Sequence, residues 1–168
     1  MDIADAVTKV WNVNEDLTAW AETPLVGKDR ETPIKGIPDF ISSEGWIYDL
    51  KTTSENIDER GALRTILNYK YHVQSAHYIR LAQNHRGDIL GHRIVFVEKD
   101  APHSVAIYEI AGEILDAGRD ECERAYAIYD RCRAEGKWET LLEHQGIVRL
   151  DTFPGAKAKG NGSFGMTF

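Results

Sequence analysis

The stretch Lys35–Thr53, K-G-I-P-D-F-I-S-S-E-G-W-I-Y-D-L-K-T-T, constrains this chain more than any other. Lys35–Ile41 and Trp46–Thr52 carry strand-forming residues, and Ser42-Ser43-Glu44-Gly45 supplies turn chemistry between them, so the stretch reads as a hairpin. Side chains alternate between the two faces of a strand. Asp49 and Lys51 therefore share one face with Ile47, while Trp46, Tyr48 and Leu50 occupy the other. Asp39, near the end of the first strand, comes close across the hairpin. Two carboxylates and an ammonium are expected together at the end of a sheet.

Such a set has a chemical use. Asp39 and Asp49 suit a hard divalent cation, Mg²⁺ or Mn²⁺, which takes oxygen ligands and keeps several waters. The carbonyl of Leu50 offers a third protein oxygen. Lys51 can orient or deprotonate a water, or offset charge on a phosphate. A bound metal would lower the water's pKa and screen the phosphate, so the set suits phosphodiester hydrolysis. The same triplet also serves as a solvated edge-strand ion pair, and the residues alone leave both readings open.

Pro38-Asp39 followed by Asp49-Leu50-Lys51 resembles the PD-(D/E)xK nuclease signature, in the D-L-K-T-T form of RecB- and RecE-type exonucleases. Downstream, Tyr69, Tyr71, His72, Gln74, Ala76 and Tyr78 resemble the block that follows in RecE-type enzymes. Gln74 and Tyr78 are four apart and share one helix face. The resemblance covers about Trp20 to Leu150. It implies a restriction-endonuclease-like α/β sandwich and a metal-dependent DNA exonuclease of recombination or repair, of the phage or prophage type. Asp39, Asp49, Lys51, Gln74 and Tyr78 would be its catalytic residues. Asp39, Asp49, the Leu50 carbonyl and an upstream acid, for which Glu22 is the candidate, would hold the metal. His72 would contact a phosphate. RecE-type relatives form rings on DNA, which points to a homo-oligomer or a recombination partner protein. They also carry a histidine in an N-terminal helical region, and here none precedes His72.

A net charge of −7 runs mildly against a nucleic-acid partner. It favours a second reading, a non-catalytic nuclease-fold protein acting as a DNA- or protein-binding or inhibitory module. A local basic track can still hold a backbone. Arg60, Arg64, Lys70 and Arg80, with Lys157 and Lys159, are the candidates, and Lys70 and Arg64 are assigned to DNA together with His72.

The pattern predicts a helix at Ile3–Trp11, a strand at Leu17–Glu22 and a loop at Leu25–Thr32. After the hairpin, Ser54 caps helices Ile57–Leu67 and Tyr69–His85, broken near Asn68, with Tyr69 in an amphipathic core stripe. Strands His92–Glu98 and Ser104–Ile110 follow, then a helix Gly112–Glu135, a helical turn Trp138–Leu142 and a strand Ile147–Leu150. Strands and helices in this order give a central mixed sheet flanked by helices. One domain is expected over 1–153, with a Gly-rich tail over 154–168. No apolar run is long enough to span a membrane and the N-terminus lacks signal-peptide character, so the expectation is cytoplasmic. Cys122 and Cys132 fall on one helix and should not pair. The histidines lack zinc spacing, and no phosphate-binding loop is present.

Overall fold

The computed structural model describes residues 20–138, without the side chain of Trp20. Its elements belong to one unit, Met1–Lys137. The expected helix Ile3–Trp11, the turn from residue 139 onward, the strand Ile147–Leu150, the boundary at 153 and the tail lie outside the described residues.

The sheet is built around β5, Trp46–Thr53. Its neighbours are β4, Phe40–Ile41, and β6, Gly91–Glu98. The five-stranded order is β1-β4-β5-β6-β7, with β1 at Trp20–Ala21 and β7 at Val105–Ile110. β4 and β5 run antiparallel, β5 and β6 parallel, and β6 and β7 antiparallel, so the sheet is mixed. A parallel pair needs a long crossover, which α1, Glu59–Asn68, and α2, Tyr71–Gln83, provide.

Both faces of the central strands are apolar. Ile41, Ile47, Ile94 and Phe96 share a core with Ile66 of α1 and Ala76 and Ile79 of α2. Phe40, Tyr48, Val95 and Val97 form a second cluster from alternate positions. This explains the near-continuous apolar run of β6, as expected for a strand buried on both faces. The long α3, Gly112–Glu135, matches its predicted bounds and packs along α2. The approach is close: a Cβ on Gly118 would lie 2.2 Å from the His72 carbonyl oxygen. Cys122 and Cys132, both on α3, are free and buried. Among the described residues, no helix is long and apolar enough to cross a membrane. The architecture is the expected restriction-endonuclease-like α/β sandwich.

Three local expectations are corrected. Leu25–Thr32 is not a loop: β2, Leu25–Asp29, pairs with β3, Thr32–Gly36, in a separate two-stranded sheet. Leu25 and Ile34 supply its buried apolar residues, and charged side chains between them mask the pattern. The predicted strand Lys35–Ile41 is accordingly split, with a bend at Ile37–Asp39. The α1 cap is Asp58 instead of Ser54; its carboxylate accepts from the Gly61 N–H at 2.7 Å, satisfying one open helix donor.

Candidate active site

The site follows from where β4 stops pairing. Ile41 lies opposite Ile47 and Phe40 opposite Tyr48. Continuing that register puts Asp39 opposite Asp49 and Pro38 opposite Leu50. The Ser42 N–H donates to the Trp46 carbonyl at 2.9 Å, which fixes the alternation. Asp39 and Asp49 then form a non-hydrogen-bonded position, where side chains on one face approach most closely. At the next position Pro38 has no N–H to give. The Leu50 N–H donates instead to Asp39 Oδ2, at 2.7 Å. The N–H and C=O of one strand residue point to the same edge, so the Leu50 carbonyl faces this side too. The Pro-Asp pair thus ends the β4–β5 ladder and leaves oxygen atoms along the edge of β5 where that ladder stops.

Asp49 is only 2% exposed. Its Oδ1 accepts from Gln74 Nε2 at 3.0 Å, and its Oδ2 faces the Lys51 ammonium. Burial pushes the Asp49 pKa up; Lys51 counters this, while the Asp39 charge adds to it. The Lys51 Nζ also sits 4.9 Å from the centre of the Tyr71 ring. Tyr78 donates to the Ile37 carbonyl at 3.2 Å. Gln74 and Tyr78, one turn apart on α2, therefore hold the two carboxylate-bearing segments: one grips Asp49, the other the bend that carries Asp39.

An all-oxygen set of two carboxylates and a strand carbonyl fits a hard cation such as Mg²⁺, which needs only one or two carboxylates and keeps waters. One ammonium faces two carboxylates, so the charge balance also has room for a cation. Glu22 is not drawn in. Its N–H donates to the Asp39 carbonyl at 3.0 Å, but its φ of +44° turns the chain out of β1 there. Among the described residues, no three acidic, His or Cys side chains gather as a metal-binding group.

Of the residues expected at DNA, His72 and Lys70 are engaged elsewhere. His72 is buried, with Nε2 3.5 Å from Glu121 and Nδ1 near the Ile66 carbonyl, so it supports the α2–α3 packing and presents nothing to a phosphate. Lys70 is exposed and paired with Glu121 at 2.9 Å. Arg64 is exposed on α1.

Two features escaped sequence reasoning. His92 is fully buried on β6. Ser75 gives its hydroxyl proton to the Tyr71 carbonyl at 2.9 Å, so His92 Nδ1–H donates to Ser75 Oγ at 2.9 Å. Burial, then the Lys51 charge, pushes the His92 pKa down to about 3, and the ring is neutral. Tyr69, assigned to the core, is 65% exposed. A scattered histidine and a Y-K-Y string carry no signal for either placement.

A family model described as a PDDEXK-like domain of unknown function (DUF3799) matches residues 21–150. No match is found among curated proteins. Among solved structures, a candidate exonuclease from Eubacterium rectale is similar with a TM-score of 0.63 at 16% identity, covering 89% of this chain and 62% of that one. This chain thus spans less than two thirds of that protein. An alkaline exonuclease from Laribacter hongkongensis aligns with a TM-score of 0.39 at 16% identity, covering 79% of this chain and 70% of its own. The first likeness concerns the fold.

Proposed function

The chain belongs to the PDDEXK-like family whose model spans residues 21–150, and on that premise we propose that it is a divalent-metal-dependent nuclease that hydrolyses DNA phosphodiesters, acting at DNA ends in recombination or repair. The observation that carries this is Asp49: a buried carboxylate, gripped by Gln74, beside Lys51 and opposite Asp39. Burying a carboxylate without full compensation is costly, and a strand in the middle of a sheet has no structural need of it.

Asp39, Asp49 and the Leu50 carbonyl would hold the ion. When bound, it would lower the pKa of a water and screen the phosphodiester. Lys51, steadied by Asp49 and the Tyr71 ring, donates hydrogen bonds to the attacking water or to the scissile phosphate. The water oxygen forms the new P–O bond and gives up its proton to solvent, the ester P–O bond breaks, and the leaving oxygen takes a proton from solvent. Gln74 occupies Asp49 Oδ1 and so orients the carboxylate. Tyr78 fixes the Ile37–Asp39 bend and thereby the second carboxylate.

The test is a time course on end-labelled linear, nicked and closed circular DNA, with and without Mg²⁺ or Mn²⁺. Cleavage should require metal and a free end, and Asp39→Ala or Asp49→Ala should abolish it while each variant still melts cooperatively. Mn²⁺ should raise the Tm of the wild type, because a ligand of the folded state stabilises it, and should leave that of Asp49→Ala unmoved. The net charge of −7 favours the rival reading, a non-catalytic binding or inhibitory module. Binding of DNA or protein without cleavage under any metal would establish that rival.

A further inference from the structure

Beside Lys51 lies a cleft of 340 Å³, within the roughly 300–1,000 Å³ range of small-ligand sites. Thr53, Tyr69, Tyr71 and Lys99 line it with Lys51. Against the acidic charge of the chain, its wall carries two lysines to one acid, Glu55, among the described residues. It shares Glu55 and Thr65 with a second hollow, which Asp58, Arg60 and Arg64 line.

An aromatic ladder climbs from the core into this cleft. Phe96 is buried; Tyr71 packs on it with ring centres 6.4 Å apart. Tyr69 stacks on Tyr71 at 5.7 Å and 19°. The Lys51 ammonium rests on the middle ring. The outer ring is mostly in solvent.

The chain bends to build this stack. Residues two apart in a continuous helix do not face each other. Here Lys70, between α1 and α2, takes a left-handed conformation with φ +61°, which is unfavourable for a residue with a Cβ. Its side chain is tied to Glu121. The break swings Tyr69 over Tyr71. A rigid exposed ring, with cations along one side, is how proteins bind single-stranded nucleic acid: bases stack on the ring and the backbone follows the charge.

We propose that the Tyr69–Tyr71 pair is a stacking platform for an unstacked base of the strand being cut, with Lys99 on an adjoining phosphate and Arg64 further along the track. This rests on the nuclease reading and deepens it. A base inside a duplex has both faces covered and must leave the stack to be read this way. The strand presented to Lys51 is therefore single-stranded or frayed.

The test measures binding apart from cleavage, with the full chain and fluorescein-labelled oligo-dT or blunt duplex. Ca²⁺ replaces Mg²⁺, and gels verify that the DNA stays intact. Tyr69→Ala should raise the Kd for the single strand by about 5- to 150-fold, the range of base–aromatic stacking. It should leave the duplex Kd within about twofold, and Tyr69→Phe and Tyr69→Trp should keep single-strand affinity, since both keep a ring. Lys99→Ala should lower the salt slope for the single strand by about 0.7. An unchanged single-strand Kd in Tyr69→Ala, or equal losses on both DNAs, overturns the platform, as does a wild type that does not bind the single strand. Mn²⁺-dependent cleavage is scored separately. Cleavage with Tyr69-independent binding removes the platform alone. Tyr69-dependent binding without cleavage keeps the platform and removes the nuclease reading.

Discussion

Two clusters of charge lie against α2, and they differ in balance. Around Arg80 the charges cancel: Arg80 meets Glu123 and Asp29, and Arg30 meets Glu123 at 3.0 Å. Two cations face two anions, and all but Asp29 are substantially exposed. Around Gln74, six residues earlier, one ammonium meets the almost fully buried Asp49, and a second carboxylate, Asp39, lies beside it. The first cluster is balanced in charge and docks the β2–β3 hairpin onto α2 and α3. Thr32 adds a bond to Asp130, and Arg133 donates to the Glu31 carbonyl at 3.1 Å. The second is short of positive charge in the place where water is most excluded. Residue types do not separate the two clusters; balance and burial do.

The sharpest way to break this contrast is at Lys51. If the Gln74 cluster binds a cation and positions a water, Lys51→Ala should lower the cleavage rate by about two to four orders of magnitude, the range for a positioned acid–base or electrostatic group. Removing a cation from beside the carboxylates should leave Mn²⁺ binding equal or tighter. Lys51→Arg should not rescue the rate, because a planar fork does not replace a compact ammonium. Calorimetry and cleavage on the same variant separate this role from a plain ion pair. A plain pair predicts changes of a few-fold in both.

His92 tests the balance from another side. A protonated His92 would place a second cation within the field of Lys51 and alter the balance. The buried ring instead has its pKa depressed to about 3. The unfolded chain takes up a proton near the ordinary value of about 6.5, so between these two values it binds more protons than the folded state. Stability contributed by neutral His92 is therefore complete above about pH 6.5 and drains away as pH falls toward 3, by at most about 5 kcal/mol. Urea melts from pH 7.5 to 4 should show this loss, and His92→Gln should flatten it. An imidazole that titrates near 6.5 by NMR in the folded protein would break the comparison.

The contrast also marks what the sequence makes legible. β5, β6 and β7 stand out as short runs rich in β-branched and aromatic residues, and α3 by its long helical apolar stripe. Asp39 and Asp49 could be paired from strand alternation and a short turn alone. Gln74 and Tyr78 could be placed on one helix face, but not onto Asp49 and the Ile37 carbonyl, because those contacts depend on how α2 crosses the sheet. The β2–β3 hairpin is hidden because charged residues separate its buried Leu25 and Ile34, and its ion pairs reach Arg80 and Glu123, distant in sequence. Tyr69 departs from its expected core position for a different reason. Its neighbours follow a helical period, and only the left-handed Lys70 takes it out of that period. His72 sits in a string that resembles a DNA-contacting block, yet α3 covers it.

The smallest effect belongs to the balanced cluster, and it is the control. Arg80 is about one-third exposed, and exposed ion pairs are screened by water and salt. Its guanidinium also lies 5.4 Å from the Tyr126 ring centre, which adds a modest cation–π term. Arg80→Met keeps much of the aliphatic packing and removes the charge. It should cost about 1 kcal/mol of stability, and the cost should shrink in high salt because the lost terms are electrostatic. The Glu123→Gln change should cost less than the sum when added to Arg80→Met, since the two touch each other and their effects couple. Neither substitution should move the cleavage rate or Mn²⁺ affinity by more than about twofold, because the hairpin dock carries no oxygen ligand of the Gln74 cluster. Denaturant melts in low and high salt give the first quantity, and cleavage and calorimetry give the second. A rate loss at Arg80 comparable with that at Lys51 would mean that the two clusters work as one. The separation between a structural and a chemical charge cluster on α2 would then fail.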